Sequence, residues 1–188
     1  LKRGDQVAGR VDWSRRRSLM AHHTGTHILL GAARRVLGDH VWQQGAQKGV
    51  DRSRLDISHF RRVGMKELRE IERLSNEVIT EDREVKATWM DRNQAERKYG
   101  FDLYQGGVVP GKRVRVVDIK GWNTQACAGT HCKRTGEVGL LKILRTERIQ
   151  DGIERIEFAT GLAALNFIQA QEEQLTRAAE ILRTSRLP

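Results

Sequence analysis

Residues 20–31, MAHHTGTHILLG, hold three of the six histidines of this chain. They lie inside a longer stretch, 15–37, whose apolar spacing predicts an α-helix. Side chains four positions apart project from the same face of a helix, so the rings of His23 and His27 can converge on one metal ion. His22 points about 100° away from that face and is not part of the pair. The segment therefore predicts a helix that carries half of a metal site, although a buried histidine satisfied by a backbone carbonyl is the simpler interpretation.

A second cluster, CAGTHC at residues 127–132, offers a matching pair about a hundred residues later. Cys127 and His131 are again four apart, Gly129 lets the backbone turn between them, and Cys132 is a spare thiol. Imidazole nitrogen and thiolate sulfur are donors that suit Zn²⁺. Two other interpretations stay open, a disulfide between the two cysteines and two unrelated buried cysteines.

The spacing of the first pair excludes one familiar zinc enzyme. A zinc protease of the HExxH type needs a glutamate directly after the first histidine to act as the base. Here the residues between His23 and His27 are Thr24, Gly25 and Thr26. No general base occupies the required position, so the protease interpretation is set aside.

The composition limits the class of protein and suggests its partner. The 188 residues are 38% hydrophobic and 31% charged, which indicates a soluble globular domain without a membrane span or a signal peptide. The net charge is +10, from 34 basic and 24 acidic side chains, and this excess favours a polyanion such as nucleic acid. Two cysteines do not make a secreted disulfide framework, so we expect a cytoplasmic protein.

The order of predicted elements indicates an α+β fold without a βαβ rhythm. A helix over 64–82 has a buried stripe of Leu68, Ile71, Leu74 and Val78, and a hairpin turn is predicted at 151–152. Further helices are predicted over 91–100 and 161–186. Strands are predicted over 1–13, 40–50, 54–60, 83–90, 113–119, 138–148 and 153–159.

Taken together and in order, several segments resemble the editing domain of alanyl-tRNA synthetase, of the archaeal type, and its free-standing trans-editing relatives. The resemblance covers roughly residues 10–162. The segments that carry it are HHTGTHIL, HVWQQGAQKG, LDISHF, KYGFDLYQGGVVPGKRVRVVDI, CAGTHCKRTGEVGLLKI and ERIQDGIERIEFATG.

This resemblance implies a site and an activity. The zinc ligands would be His23, His27, Cys127 and His131, and the pocket or catalytic positions would be Thr24, Thr26 and Gln43. The reaction would be hydrolysis of the ester of tRNA-Ala mischarged with serine or glycine. In similar sequences an acidic residue is expected where this chain has Asn123, so no role is assigned to that position.

The resemblance also implies a domain organisation. Residues 1–13 would be the stub of a preceding β-rich unit, 14–160 the zinc-containing editing domain, and 161–188 a helix leading to an oligomerisation domain of a longer enzyme, with a homodimer as a further expectation. The near-heptad seam of that last helix is broken by Glu172, so packing on its own domain is an equal alternative.

Two questions stay open at this stage. Zinc could activate a water, or it could only hold the pocket while a polar side chain positions the water. The chain could also be a non-catalytic, zinc-stabilised tRNA-binding module. In either case the acceptor stem needs cationic contacts, for which we favour Arg61, Arg62, Lys133 and Arg134 because they follow motif segments.

Overall fold

The computed structural model describes residues 2–105 and 107–184 and has the predicted α+β class. Two antiparallel sheets are present, one of four strands in the order β1-β2-β7-β6 and one of three strands in the order β3-β4-β5. The helices are α1 (Trp13–Leu37), α2 (Met65–Thr80), α3 (Arg92–Tyr99) and α4 (Gly161–Ile181). The strands are β1 (Gln43–Gln47), β2 (Ser53–Ser58), β3 (Val85–Asp91), β4 (Arg113–Ile119), β5 (Asn123–Ala126), β6 (Leu141–Gln150) and β7 (Ile153–Thr160).

Helix α1 is the central element of the core. It begins after Asp12, whose carboxylate accepts the backbone N–H of Arg15 at 3.0 Å, and it ends at Gly38, where φ is +114°. Its segment 28–33 is buried, and α1 contacts α2 and strands of both sheets. The sequence prediction for this helix, including its end at Gly38, is confirmed.

The larger sheet packs one face against α1 and α2. Leu55 of β2 lies opposite Ile156 of β7, and both are fully buried with Ile57 and Phe158. Burying such aliphatic and aromatic side chains stabilises the fold by about 1.5–3 kcal/mol each. The hairpin predicted between β6 and β7 turns at Asp151 and Gly152, where Gly152 has φ +77°.

Helix α2 covers the same face of this sheet. Leu68, Ile71 and Val78 of its predicted stripe are buried, whereas Leu74 is half-buried. Ile79 joins the buried side, because the helix lies in a corner between α1 and β6 and needs more than one apolar stripe.

The smaller sheet has two covered faces. Val117 and Ile119 of β4 belong to the main core, while Val114 and Val116 point the other way and pack with Ala95 and Leu103 under α3. Asp91 caps α3 as predicted, by accepting the backbone N–H groups of two residues in its first turn. After Gly100 the chain continues as a short 3-10 helix, Gly100–Tyr104.

The secondary structure differs from the prediction at four places. Strand β5 was missed because the sequence NTQA is short and polar, without alternation. No strand is present in residues 2–12, which are exposed and have no neighbouring strand among the described residues. Strand β6 begins at Leu141, since 135–138 form a 3-10 turn.

The prediction for helix α4 is the fourth that differs from the structure. The helix ends at Ile181 rather than at 186, and residues 185–186 lie outside the described residues. Ala164 is its buried residue, whereas Leu165 and Leu175 of the predicted seam are 43% and 63% exposed. The helix thus contacts its own domain through its first turns, and a homodimer stays a prediction. No helix in the described part of the chain combines the length and apolar character that a bilayer crossing requires.

A close contact between α1 and Trp122, the residue before β5, gives a test of the packing. The indole Nε1 of Trp122 donates to the carbonyl of Ile28 at 3.0 Å, and a Cβ added at Gly31 would lie 2.5 Å from that nitrogen. We expect Gly31→Ala to lower the free energy of unfolding by about 1–2 kcal/mol, because overpacking outweighs the better helix propensity of alanine. Urea unfolding would measure this. In a Trp122→Leu background the same change should be neutral or stabilising, and an equal loss in both backgrounds would contradict the contact.

Candidate metal centre

Four side chains from two distant parts of the chain meet at one point. Helix α1 supplies His23 and His27, and the loop after β5, residues 127–131, supplies Cys127 and His131. One donor atom of each lies within 4.8 Å of those of the other three. The sulfur of Cys127 is 3.3 Å from Nε2 of His23 and 3.4 Å from Nε2 of His131. We call residues 127–131 the ligand loop.

These separations suit a small tetrahedral ion. Donors 2.0–2.3 Å from a zinc ion in tetrahedral geometry lie roughly 3.3–3.7 Å from one another. The two sulfur–nitrogen distances fall in or close to that range, and Nδ1 of His27 is buried without a hydrogen-bond partner among the described residues. A group of this composition could hold a metal ion, and it is compatible with zinc.

The surroundings keep all three imidazoles neutral at pH 7. Burial lowers the pKa of His23 to about 4, with a smaller effect of the Lys48 charge. Burial also lowers the pKa of His131 to about 2, and electrostatic repulsion from His23 lowers it further. Burial holds the pKa of His27 well below its usual value, and repulsion from His131 acts in the same direction. Neutral imidazole is the form that binds a metal, so the site is preorganised for coordination.

Thr24 and Arg115 hold the ligand loop in place. The hydroxyl of Thr24, fully buried on α1, lies 3.2 Å from Nδ1 of His131 and accepts the backbone N–H of Cys132 at 3.0 Å. The guanidinium of Arg115 donates to the carbonyls of Cys127 at 2.8 Å and Gly129 at 2.7 Å. Such outer contacts orient metal ligands and fix the tautomer of histidine.

Gly129 is needed for a different reason from the one predicted. A positive φ is not what this position requires. Instead the ring of His23 lies directly against it, and an added Cβ would be 2.1 Å from Cε1 of His23. The glycine therefore permits a close approach between the ligand loop and α1.

Two further residues at the site were missed or left without a role. Lys48, which follows β1, is half-buried, and burial lowers the pKa of its ammonium while Cys127 raises it. Asn123 of β5 opposes the effect of burial on the pKa of His27, so it lies beside that ring. Its Oδ1 is buried without a hydrogen-bond partner among the described residues. No periodicity in the sequence predicts that either residue lies at the site, although Asn123 precedes the ligand loop by only four positions.

The other predicted pocket residues differ in their surroundings. Thr26 is buried, and its hydroxyl donates to the carbonyl of His22 at 2.8 Å, one turn earlier in the helix. Gln43 lies opposite the core-facing Ile57, because a register shift between Gln43 and Gly45 places an extra residue in β1. Residues directly opposite in a ladder share a face, so Gln43 is on the α1 side of the sheet.

The remaining histidine and cysteine of the two motifs are structural. His22 is fully buried, with Nδ1 3.0 Å from the carbonyl of Ser18 and Nε2 accepting the backbone N–H of Thr160 at 3.3 Å. The cysteines do not form a disulfide, since both thiols are free. Cys132 is buried in the core, and burial raises the pKa of its thiol.

The four predicted tRNA contacts lie in two separate places. Arg61 and Arg62 follow β2, near the C-terminal end of α1, which is roughly 15 Å along the helix from His27. Arg61 is bound at 2.5 Å to Glu67, whereas Arg62 is exposed. Lys133 and Arg134 follow the ligand loop after Cys132. Lys133 is exposed, and Arg134 pairs with Asp82 at 2.5 Å. All four side chains are exposed, but among the described residues only Arg61 and Arg134 of the four form ion pairs.

Comparison with known proteins gives the relationship of this chain. Residues 114–157 match the model of the "Threonyl and Alanyl tRNA synthetase second additional domain". Alanine–tRNA ligases of Methanopyrus kandleri and Thermococcus kodakarensis are each 59% identical to this chain. The matches extend over 182 and 183 residues, which is 97% of the chain in both cases. The chain is an alanine–tRNA ligase relative. The resemblance seen in the sequence is therefore confirmed.

The relationship covers a defined part of those enzymes. The chain spans about 20% of the length of the Methanopyrus and Thermococcus proteins, and 19% of the Halobacterium salinarum alanine–tRNA ligase, to which it is 53% identical over 180 residues. The matched family segment runs from β4 through the ligand loop to β7, and so contains Cys127 and His131 but not α1.

Gly129 provides a test of metal binding. We expect Gly129→Ala to lower zinc affinity at least tenfold, because the added methyl group displaces the ring of His23, while circular dichroism stays unchanged. Competition with a chromophoric chelator measures the affinity. Gly9→Ala is the matched control, since nothing lies within 4 Å of its added Cβ. Equal affinities of the two variants would argue against coordination by His23.

The low pKa values of the histidines predict the acid stability of the metal-free protein. Between pH 7 and 5 an unfolded chain takes up protons on histidines with ordinary pKa near 6.5, whereas the folded chain does not protonate His23 until about pH 4. The free energy of unfolding should therefore fall as the pH is lowered through this window. Urea unfolding of chelator-treated protein at several pH values measures it. A level profile from pH 7 to 5 would contradict the burial of neutral rings.

Proposed function

We propose that this domain hydrolyses the ester bond of tRNA-Ala that carries serine or glycine in place of alanine, in the cytoplasm, as a proofreading step of protein synthesis. The observation that supports it most is the convergence of His23, His27, Cys127 and His131 beside a half-buried cation, Lys48. The relationship to alanine–tRNA ligases supplies the substrate class.

The four converging residues would hold a zinc ion. Three imidazoles and one cysteine are donors that tetrahedral zinc accepts, and the two sulfur–nitrogen distances of 3.3 and 3.4 Å are close to those that it requires. When bound, zinc supplies a fixed positive charge and Lewis acidity beside the ester. The protein residues do the remaining work of binding, orienting and excluding water.

Lys48 is the cation best placed to act on the substrate. Its ammonium is close enough to influence the pKa of His23, His27 and His131, and no carboxylate lies among the residues of the two motifs. A desolvated cation at this place would stabilise the negative charge that develops on the ester carbonyl during attack by water. Lys48 is thereby added to the proposed site.

Polar groups at the site would select serine over alanine. A site built to bind a substrate hydroxyl leaves its own polar groups unpaired when alanine enters, and such sites discriminate by on the order of 10⁴. Gln43 faces the α1 side of the sheet and is half-buried, so its amide is the accessible group for this task. Thr24 holds His131 and Thr26 bonds within α1, which makes both positioning residues in this proposal.

The acceptor stem of the tRNA would lie along the basic surface. Lys133 lies two residues after the ligand loop and is exposed, so it is the first candidate for a phosphate contact, with Arg134 next to it. Arg62 and Arg61 would contact the tRNA farther from the site. The net charge of +10 is consistent with such a partner.

One observation favours a second function, a non-catalytic zinc-stabilised tRNA-binding module. Four protein donors fill the coordination of tetrahedral zinc, and filled sites are typical of structural zinc. Such a module would need the ligands and the basic surface, but it would not need Lys48 or Gln43 at the site.

Deacylation separates the two functions. We expect the zinc-loaded protein to release serine from Ser-tRNA-Ala at least a hundredfold faster than alanine from Ala-tRNA-Ala, measured by loss of radiolabelled aminoacyl ester. Gln43→Ala should reduce this preference, while Gln44→Ala, at the exposed neighbouring position, should not. Binding of tRNA without faster ester loss would favour the module. Full activity in a folded, metal-depleted sample would remove zinc from the reaction.

A further inference from the structure

The smaller sheet places an exposed tryptophan in line with the metal centre. Trp89 of β3 lies opposite Arg115 of β4. On the other side of Arg115 the ladder continues beyond β5, since the backbone N–H of Cys127 donates to the carbonyl of Arg115 at 2.9 Å. Trp89, Arg115 and Cys127 therefore form one row across three adjacent backbone segments.

The side chains of this row point toward α1. Residues directly opposite in antiparallel strands share a face of the sheet, and so do alternate residues of one strand. Val117 and Ile119, which alternate with Arg115 along β4, are buried in the main core with α1. The indole of Trp89 is therefore on the same face of the sheet as the ligand loop.

The row also fixes how far Trp89 is from the site. Adjacent strands are about 4.8 Å apart, so the backbone of Trp89 lies roughly 10 Å from that of Cys127. A single nucleoside can bridge that separation when its ester lies at the metal centre. Arg115, between the two, binds the carbonyls of Cys127 and Gly129 and keeps the ligand loop against this row.

The indole of Trp89 is free to accept a stacking partner. Trp89 is 58% exposed on the edge strand, and its indole takes part in no ring pair or cation–π interaction within residues 2–105 and 107–184. By contrast, Trp122 carries the guanidinium of Arg35 3.7 Å from its ring centroid, and Trp42 carries that of Arg34 at 5.4 Å. Large exposed aromatic rings in basic proteins are typical platforms for nucleic-acid bases.

We propose that Trp89 stacks on the base of the 3′-terminal nucleoside of the aminoacylated tRNA and so positions the ester at the metal centre. This subsite rests on the proposed function for its ligand. It explains an aromatic side chain that neither the core nor the metal centre uses. It also gives the domain a means of holding the end of a tRNA close to the ester.

The test uses two probes that cannot be hydrolysed, 3′-serylamino-3′-deoxyadenosine and the same compound without its base. We expect Trp89→Ala to weaken binding of the first probe on the order of tenfold and to leave binding of the second unchanged, because only the first can stack. Trp89→Phe should retain most of the affinity. Trp13→Ala is the matched control, since Trp13 is 65% exposed in the first turn of α1, about 15 Å along the helix from His23. Calorimetry measures all the affinities.

Each result bears on the subsite separately from the activity. Equal losses for the two probes, no loss for either, or no binding of the first probe to the unaltered protein would overturn the subsite. A base-dependent loss in Trp89→Ala would support it even if the unaltered protein failed to deacylate Ser-tRNA-Ala, a failure that would instead overturn the proposed function. A role of Trp89 only in protein contacts would give no difference between the probes.

Discussion

The contact between α1 and the ligand loop is the constraint on which the rest of the site depends. His23 and His27 are on a helix, Cys127 and His131 are in a loop about a hundred residues later, and their donor atoms meet within 4.8 Å. The hydroxyl of Thr24 connects the two segments directly, through His131 and the backbone of Cys132. If either segment moved by a side-chain width, the four donors would no longer share one point.

This constraint has an electrostatic cost that the fold offsets. Burial of three imidazoles around one point is tolerable only while they are neutral, and burial is the largest cause of the lowered pKa of each. Nδ1 of His27 and Oδ1 of the neighbouring Asn123 are both buried without a hydrogen-bond partner among the described residues. Buried polar atoms without partners are rare in native proteins, and a bound ion is a common explanation.

The two sheets divide the work around this centre. The larger sheet buries Leu55, Ile57, Ile156 and Phe158 against the helices and fixes α1 in position. The smaller sheet supplies the ligand loop and presents Arg115 and Trp89 beside it. Lys48 comes from the larger sheet, so charged groups reach the site from both sides. Positive charge on both sides of the donor cluster favours an anionic ligand.

Elements with local patterns could be predicted from the sequence. The helical spacing of His23 and His27, the matching pair at Cys127 and His131, and the bounds of β4 all follow from neighbouring residues, because periodicity reports the geometry of a single helix or strand. The order and spacing of several motif segments also predicted the relationship to alanine–tRNA ligases. Three other features could not be predicted in this way. Gly129 accommodates the ring of His23, a shift in β1 turns Gln43 toward α1, and Lys48 and Asn123 border the site. These features depend on contacts between distant parts of the chain, and the packing of the two sheets on α1 sets them rather than any pattern along the sequence.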